Sequence, residues 1–113
     1  MFKITDIGSN NYKIKTLHYP YISNKKYDRH KVLLGIGGNI GNVTKRFEHL
    51  YWFLKRSGFV NIIQTSPILK NPPFGYREQP FFYNALILVD TKLTPIELLG
   101  FILHTEKKFG RKR

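Results

Sequence analysis

The segment from Asn71 to Asn84 carries the residue types best suited to hold a flat ligand. Its three prolines stiffen it, because each fixes its own φ and keeps the preceding residue extended. Gly75 permits a turn with positive φ. Phe82 and Asn84 then lie two positions apart at the start of an apolar run, so a strand places both on one face. A ring can stack on a heterocycle while a carboxamide pairs with its edge, which predicts a binding site. The alternative is a proline-rich surface loop before a strand.

Other residue types that carry chemistry show no catalytic spacing. The glycines between Gly35 and Gly41 match neither a dinucleotide-binding fingerprint nor a P-loop. The four histidines are scattered without metal-ligand spacing, and the lack of cysteine excludes disulfides and thiolate metal sites. Arg111 and Arg113 can clamp a phosphate or simply complement the C-terminal dipole of a helix, and both interpretations stay open.

Composition indicates one folded domain. The chain has 113 residues, of which 42% are hydrophobic and 15% aromatic. Its net charge of +12 suits an anionic partner such as a nucleotide, a nucleic acid or an acidic surface. No apolar run approaches the roughly 20 residues that span a bilayer, and the start of the chain lacks a signal-peptide pattern. We therefore expect no membrane association and, without cysteine, a cytoplasmic protein.

The chain divides into an N-terminal extension, residues 1–30, and a domain, residues 31–113. The extension is predicted to hold a hairpin over Lys3–Leu17 and a basic linker. In the domain, Asn42 or Thr44 can cap a first helix, and the capping box from Thr94 to Glu97 opens a second. Strands are predicted at 32–37, 60–66 and 82–89, and helices near 43–57 and 95–109.

The order strand, helix, strand, strand, helix is typical of an α+β, ferredoxin-like split βαβ fold. In this fold an antiparallel sheet is backed by two helices on one face. A fourth strand should follow the second helix, but the chain reaches Arg113 where that strand is expected. We therefore expect the sequence to be a fragment that lacks a C-terminal strand and lobe.

From Val32 to Arg113 the chain resembles the N-terminal two-thirds of the 6-hydroxymethyl-7,8-dihydropterin pyrophosphokinases of the folate pathway. The resemblance covers the glycine turn after the first strand, where the family usually has Gly-Ser-Asn-Leu-Gly, together with the central loop and the second helix. The motifs are Gly37-Gly38-Asn39-Ile40-Gly41, Pro72-Pro73-Phe74-Gly75, Gln79-Pro80, Asn84-Ala85, Leu93-Thr94-Pro95-Ile96-Glu97-Leu98-Leu99 and Glu106 with Gly110-Arg111.

The resemblance implies transfer of a pyrophosphoryl group from ATP to the pterin hydroxymethyl group, with release of AMP. Phe82 stands where many members have tyrosine, and Asn71 where many have threonine; both retain stacking or a side-chain hydrogen bond. Arg111 is implied as the catalytic residue near the ATP phosphates. The residues implied to bind the pterin are Asn71, Pro72, Pro73, Phe74, Phe82 and Asn84, and those implied to bind ATP are Glu106, Arg111 and Arg113.

The resemblance also implies two magnesium ions held by an Asp-x-Asp strand, which is expected beyond Arg113. We therefore expect no metal ligands within this chain and no turnover by it alone. The expected partners are ATP and 6-hydroxymethyl-7,8-dihydropterin, with no nucleic acid and no membrane, and the protein is expected to be a monomer. The alternative function is a basic RNA-binding module of βαββα(β) layout, although residues 82–87 lack the glycine- and aromatic-rich strand of that fold.

Overall fold

The computed structural model describes residues 3–24, 30–72 and 81–108, with only the backbone given from residue 104 onward. Seven strands form one sheet, and two helices accompany it. The elements are β1 (Lys3–Gly8), β2 (Asn11–Lys15), β3 (Tyr21–Ile22), β4 (His30–Gly38), α1 (Val43–Ser57), β5 (Val60–Thr65), β6 (Ile68–Asn71), β7 (Phe82–Thr91) and α2 (Pro95–Lys108).

The central strand of the sheet is β7, and all its pairings are antiparallel. Along one edge it pairs with β4 over the full length of that strand. Along the other edge its second half pairs with β5 and its first half with β6. Ser66 joins β5 to β6, because its N–H donates to the Leu86 carbonyl and its hydroxyl accepts from the Leu86 N–H, each over 2.9 Å. β5 and β6 therefore form one interrupted edge beside β7.

Both helices begin where local signals predict, and α1 also ends at its predicted glycine. The Asn42 side chain caps α1 by accepting from the Lys45 N–H over 3.2 Å, and Gly58 ends the helix with φ of 79°. At α2 the capping box is complete. Thr94 Oγ1 accepts from the Glu97 N–H over 3.2 Å, and Glu97 Oε1 accepts from the Thr94 N–H over 2.8 Å.

The core lies between one face of the sheet and the helices. Alternate residues of β7, among them Ile87 and Val89, are fully buried with Leu54 of α1. The rings of Phe53 on α1 and Phe101 on α2 stack with centroids 5.4 Å apart, so the helices are neighbours on that face. The predicted α+β fold, an antiparallel sheet backed by two helices, is confirmed.

The opposite face of the sheet remains open among the described residues. Leu33 on β4 is 62% exposed and Leu86 on β7 is 47% exposed. We call this side of the sheet the open face. Within the described residues, no helix is long and apolar enough to cross a membrane.

The N-terminal segment forms part of the same sheet. The hairpin predicted within Lys3–Leu17 is present as β1 and β2, joined by Ser9 and Asn10 with φ of 54° and 64°. β2 continues the sheet by pairing with β6, and β3 pairs with β5. The boundary between extension and domain at residue 30 stays a prediction. β6 was not predicted from the sequence; it lies between Pro67 and Pro72 and provides the edge for β2.

Candidate functional site

Strand register brings three of the predicted ligand-binding residues onto the open face. Asn84 lies opposite Gly37 on β4 and opposite Leu69 on β6, and Phe82 lies opposite Asn71. Residues directly opposed in an antiparallel pair point to the same side of the sheet. Because Phe82 and Asn84 share a face by alternation, the side chains of Asn71, Phe82 and Asn84 lie on the same side of the sheet, beside Gly37. We call Gly37, Asn71, Phe82 and Asn84 the open-face site.

The aromatic ring and the carboxamide both lean toward β4. A Cβ atom built on Gly37 would lie 3.0 Å from Asn84 Oδ1 and 3.4 Å from Phe82 Cε1. Phe82 is 42% exposed and Asn84 is also exposed, so ring and amide remain accessible from the open face. This arrangement can stack a planar heterocycle on the ring while the amide hydrogen-bonds to its edge.

Asn71 is held from the side by the N-terminal hairpin. Its Nδ2 donates to Asn11 Oδ1 over 2.8 Å. Asn11 occupies this place because Tyr12 on β2 pairs with Lys70 on β6, which sets the register of the two strands. This contact could not be predicted, since no local signal in the sequence indicates that β2 lies beside β6. Asn71 therefore enters the site with the orientation of its amide fixed.

The neighbours of Phe82 point away from the open face. Lys70 Nζ lies 5.0 Å from the ring centroid of Phe81, 5.5 Å from that of Tyr12 and 5.8 Å from that of Tyr83. These cation–π contacts engage Phe81 and Tyr83 on the other side of the sheet. Of the three consecutive aromatic residues 81–83, Phe82 is thus the one available to a ligand on the open face.

The remaining predicted site residues lie next to, or outside, the residues that the structure describes. Pro72 is exposed immediately after β6. Pro73 and Phe74 lie outside the described residues, as do Arg111 and Arg113. Glu106 lies within α2, where only the backbone is described. The structure thus brings Asn71, Phe82 and Asn84 together, while the proposed nucleotide half stays a prediction.

Among the described residues, the largest pKa shifts are those of two tyrosines on the helix side of the sheet. Burial, with the nearby Glu48 and Tyr51, raises the pKa of Tyr19, and burial with the nearby Tyr21 raises the pKa of Tyr51.

A surface pocket of about 430 Å³ on α1 is lined by His49, Trp52, Phe53, Arg56 and Ser57, and it includes no predicted site residue. Among the residues that the structure describes, no group of three His, Asp or Glu side chains could hold a metal ion. The open-face site itself consists of a glycine, a phenylalanine and two asparagines, all of them uncharged.

A family model and individual known proteins match the chain under the same description. The family description "7,8-dihydro-6-hydroxymethylpterin-pyrophosphokinase (HPPK)" matches residues 33–113. The chain is 36% identical over 96 residues to the Helicobacter pylori 2-amino-4-hydroxy-6-hydroxymethyldihydropteridine pyrophosphokinase, covering 84% of this chain and 59% of that protein. With the Campylobacter jejuni protein of the same name the identity is 38% over 100 residues, covering 88% and 64%.

A longer relative contains the same unit within a larger chain. The mitochondrial folate synthesis bifunctional protein of Arabidopsis thaliana is 35% identical over 83 residues, which cover 74% of this chain and 15% of that protein. The present chain spans about three-fifths of the length of the two bacterial relatives. Neither the family match nor these relatives support the RNA-binding alternative.

Proposed function

Because the chain belongs to the 7,8-dihydro-6-hydroxymethylpterin-pyrophosphokinase family, we propose that it serves folate biosynthesis as a pyrophosphoryl transferase. The proposed substrates are ATP and 6-hydroxymethyl-7,8-dihydropterin. The pterin hydroxyl oxygen forms a bond to the β-phosphorus of ATP, the bond from that phosphorus to the α–β bridging oxygen breaks, and AMP leaves with the bridging oxygen. The hydroxyl proton is released. The observation that supports this proposal is the open-face site, which presents a ring and two carboxamides on one surface.

Each side chain of this site has a distinct part in the proposal. The ring of Phe82 stacks on the bicyclic pterin. The Asn84 carboxamide carries a donor and an acceptor, so it can meet both polarities of the aminopyrimidinone edge. Asn71, already oriented by Asn11 over 2.8 Å, is positioned to add a further hydrogen bond. Pro72 fixes the chain as it leaves β6, and Pro73 and Phe74 after it are also proposed to bind the pterin.

The nucleotide half of the proposal rests on the family resemblance. We propose that Glu106, Arg111 and Arg113 bind ATP, with Arg111 offsetting charge that develops on the phosphates. Two magnesium ions belong to the same proposal, but the described side chains offer no site that fits one. The described residues therefore support the pterin half of the proposal. A monomeric, cytoplasmic protein is also proposed, and the lack of cysteine suits a reducing compartment.

The proposal is tested by calorimetric titration of 6-hydroxymethyl-7,8-dihydropterin into the 113-residue chain and its variants. Asn84→Asp keeps the size of the side chain but replaces the amide donor with an acceptor, so one pterin acceptor loses its partner. We expect a loss of about 1–3 kcal/mol in binding free energy. Phe82→Ala removes the stacking surface, and we expect a loss of similar size, about 1–3 kcal/mol.

Leu86→Ala is the matched control, since Leu86 lies on the same strand and the same face and is 47% exposed. Its pterin affinity should stay within about twofold of wild type, because it lies outside the site. Circular dichroism and thermal melting verify that each variant is folded. If wild type shows no saturable pterin binding, or if both site variants bind like the control, the open-face site is not the pterin site.

A further inference from the structure

We infer that Gly37 is a positioning residue of the pterin site, and that the lack of a side chain there holds Asn84 and Phe82 in their binding arrangement. The inference rests on the proposed function, since it assigns a purpose to the ring and the amide. Gly37 touches neither ATP nor pterin in this proposal. It acts through its two neighbours on β7.

The geometry explains why the position excludes a larger residue. Gly37 lies directly opposite Asn84 in the β4–β7 pair, so its missing side chain would project onto the open face between the two binding groups. A Cβ atom would lie 3.0 Å from Asn84 Oδ1, a separation at which the amide must move. It would also lie 3.4 Å from Phe82 Cε1 and 3.5 Å from the backbone oxygen of Tyr83. The ring and amide can rest against β4 because that space is empty.

Backbone conformation does not account for this glycine. Positive φ values occur at Gly8, Gly41 and Gly58, whereas Gly37 lies within regular antiparallel strand pairing. Any residue could adopt the strand conformation at this position. The requirement for glycine is therefore steric, and it comes from the two side chains that lie over it.

Gly35 provides an internal comparison. It lies two residues earlier on β4 and faces the same side of the sheet, opposite Leu86. A Cβ atom at Gly35 would meet only Leu86 Cδ2 at 3.9 Å, which is an ordinary van der Waals contact. The same substitution at the two glycines thus changes the sheet alike but disturbs the binding residues only at position 37.

The first test compares Gly37→Ala with Gly35→Ala in the 113-residue chain by calorimetric titration of 6-hydroxymethyl-7,8-dihydropterin. Gly37→Ala should weaken pterin binding about tenfold or more, while Gly35→Ala should stay within about twofold. Both variants should fold, because Asn84 and Phe82 are exposed and can move into solvent. Equal effects of the two substitutions, or wild-type affinity in Gly37→Ala, would overturn the inference.

The second test separates positioning from a general loss of structure by a double-mutant cycle. In an Asn84→Ala background, the amide that Gly37 accommodates is absent, so Gly37→Ala should weaken binding by only about threefold or less. An undiminished effect in that background would show that Gly37 does not act through Asn84.

A ligand-free measurement keeps the inference distinct from the proposed function. The side-chain amide resonances of Asn84 in a ¹⁵N–¹H spectrum should shift in Gly37→Ala and stay in place in Gly35→Ala. If those resonances do not move, the positioning role is wrong even where pterin binds. If they move but Asn84→Asp and Phe82→Ala leave pterin affinity unchanged, the steric contact is real, and both the proposed pterin site and the role of Gly37 in it are wrong.

Discussion

Phe82 and Asn84 show how strand alternation selects functional residues from a chemically uniform run. Phe81, Phe82 and Tyr83 are all aromatic, yet the contacts of Lys70 engage the first and third on one side of the sheet. Phe82 is left on the open face with Asn84, opposite the gap at Gly37. The period of two is enough to predict that Phe82 and Asn84 share a face.

The sequence could not show which residues on the neighbouring strands lie opposite Phe82 and Asn84. The place of Gly37 in the site and the contact of Asn11 with Asn71 depend on the registers of β4 with β7 and of β2 with β6, which join segments far apart in the chain. No local propensity encodes these pairings, so both residues emerge only from the structure.

Asn11 is expected to support pterin binding by holding the amide of Asn71. Asn11→Ala removes the oxygen that accepts from Asn71 Nδ2, so the Asn71 amide is free to rotate. We expect pterin binding to weaken by about 0.5–1.5 kcal/mol, the net value of one hydrogen bond. Asn11→Asp keeps an acceptor oxygen at the same place and should retain wild-type affinity. Calorimetric titration of the pterin measures both; a loss in the Asp variant as large as in the Ala variant would argue against this role.

At the scale of elements, α1 and the segment between β2 and β3 are joined by one carboxylate. Glu48 accepts hydrogen bonds from the Thr16 hydroxyl and from the His18 N–H, and it pairs with His18 Nδ1, each over 2.7 Å. The His18 ring stacks on Tyr51 with centroids 3.9 Å apart. Tyr19 is fully buried, and its hydroxyl donates to the Phe47 carbonyl over 2.7 Å. This segment is thus packed into the core beside α1.

The charge state of Glu48 should make this connection depend on pH. Burial acts to raise the pKa of Glu48, but the hydrogen bonds from His18 and Thr16 outweigh it and lower the pKa below its usual 4.5. A carboxyl whose pKa is lower in the folded protein stabilises the fold above its unfolded pKa. That contribution disappears as the pH falls through the folded value.

We therefore expect Glu48→Gln to lower the free energy of unfolding by about 1.5–3 kcal/mol at pH 7, the value of hydrogen bonds to a charged group. The difference from wild type should shrink steadily below about pH 4.5. Urea denaturation at several pH values measures it. Glu97→Gln removes the same charge from α2 and serves as the control for net charge. A Glu48→Gln deficit that stays constant down to about pH 3 would contradict the assignment.

The elements that could be predicted are those with complete local signals. Capping residues mark the starts of α1 and α2, a glycine marks the end of α1, and apolar runs mark β4, β5 and β7. β6 escaped prediction because four residues between two prolines carry too short a pattern, and its strand character comes from pairing with β2 and β7. β3 has only two residues and forms by pairing with β5. Tertiary pairing, rather than propensity, creates both.

For the whole molecule, the high net charge contrasts with the uncharged residues of the open-face site. The chain carries 19 basic and 7 acidic residues. Among the described cations, Lys55 and Arg56 lie over the Trp52 ring of α1, 5.6 Å and 5.2 Å from its centroid, and Lys70 lies on the face opposite the open-face site. The four residues of the open-face site are uncharged. Lys13 on β2 lies opposite Leu69 and therefore on the open face, but a neutral pterin offers it no charge to pair with. Affinity for a polyanion should therefore depend on charge, whereas affinity for a neutral pterin should not.

This difference in binding chemistry predicts that added salt weakens the binding of a polyanion far more than that of the pterin. Binding of a neutral pterin through stacking and hydrogen bonds releases no counterions, so its dissociation constant should change by less than about twofold between roughly 50 and 300 mM salt. A single-stranded RNA oligonucleotide attracted by net charge alone should lose at least about tenfold in affinity over that range. Calorimetry for the pterin and fluorescence anisotropy for labelled RNA provide the two curves, with an RNA of scrambled sequence as control. RNA binding that resists salt and discriminates between the two sequences would favour the RNA-binding module, because specific base contacts outlast the screening of phosphate charge.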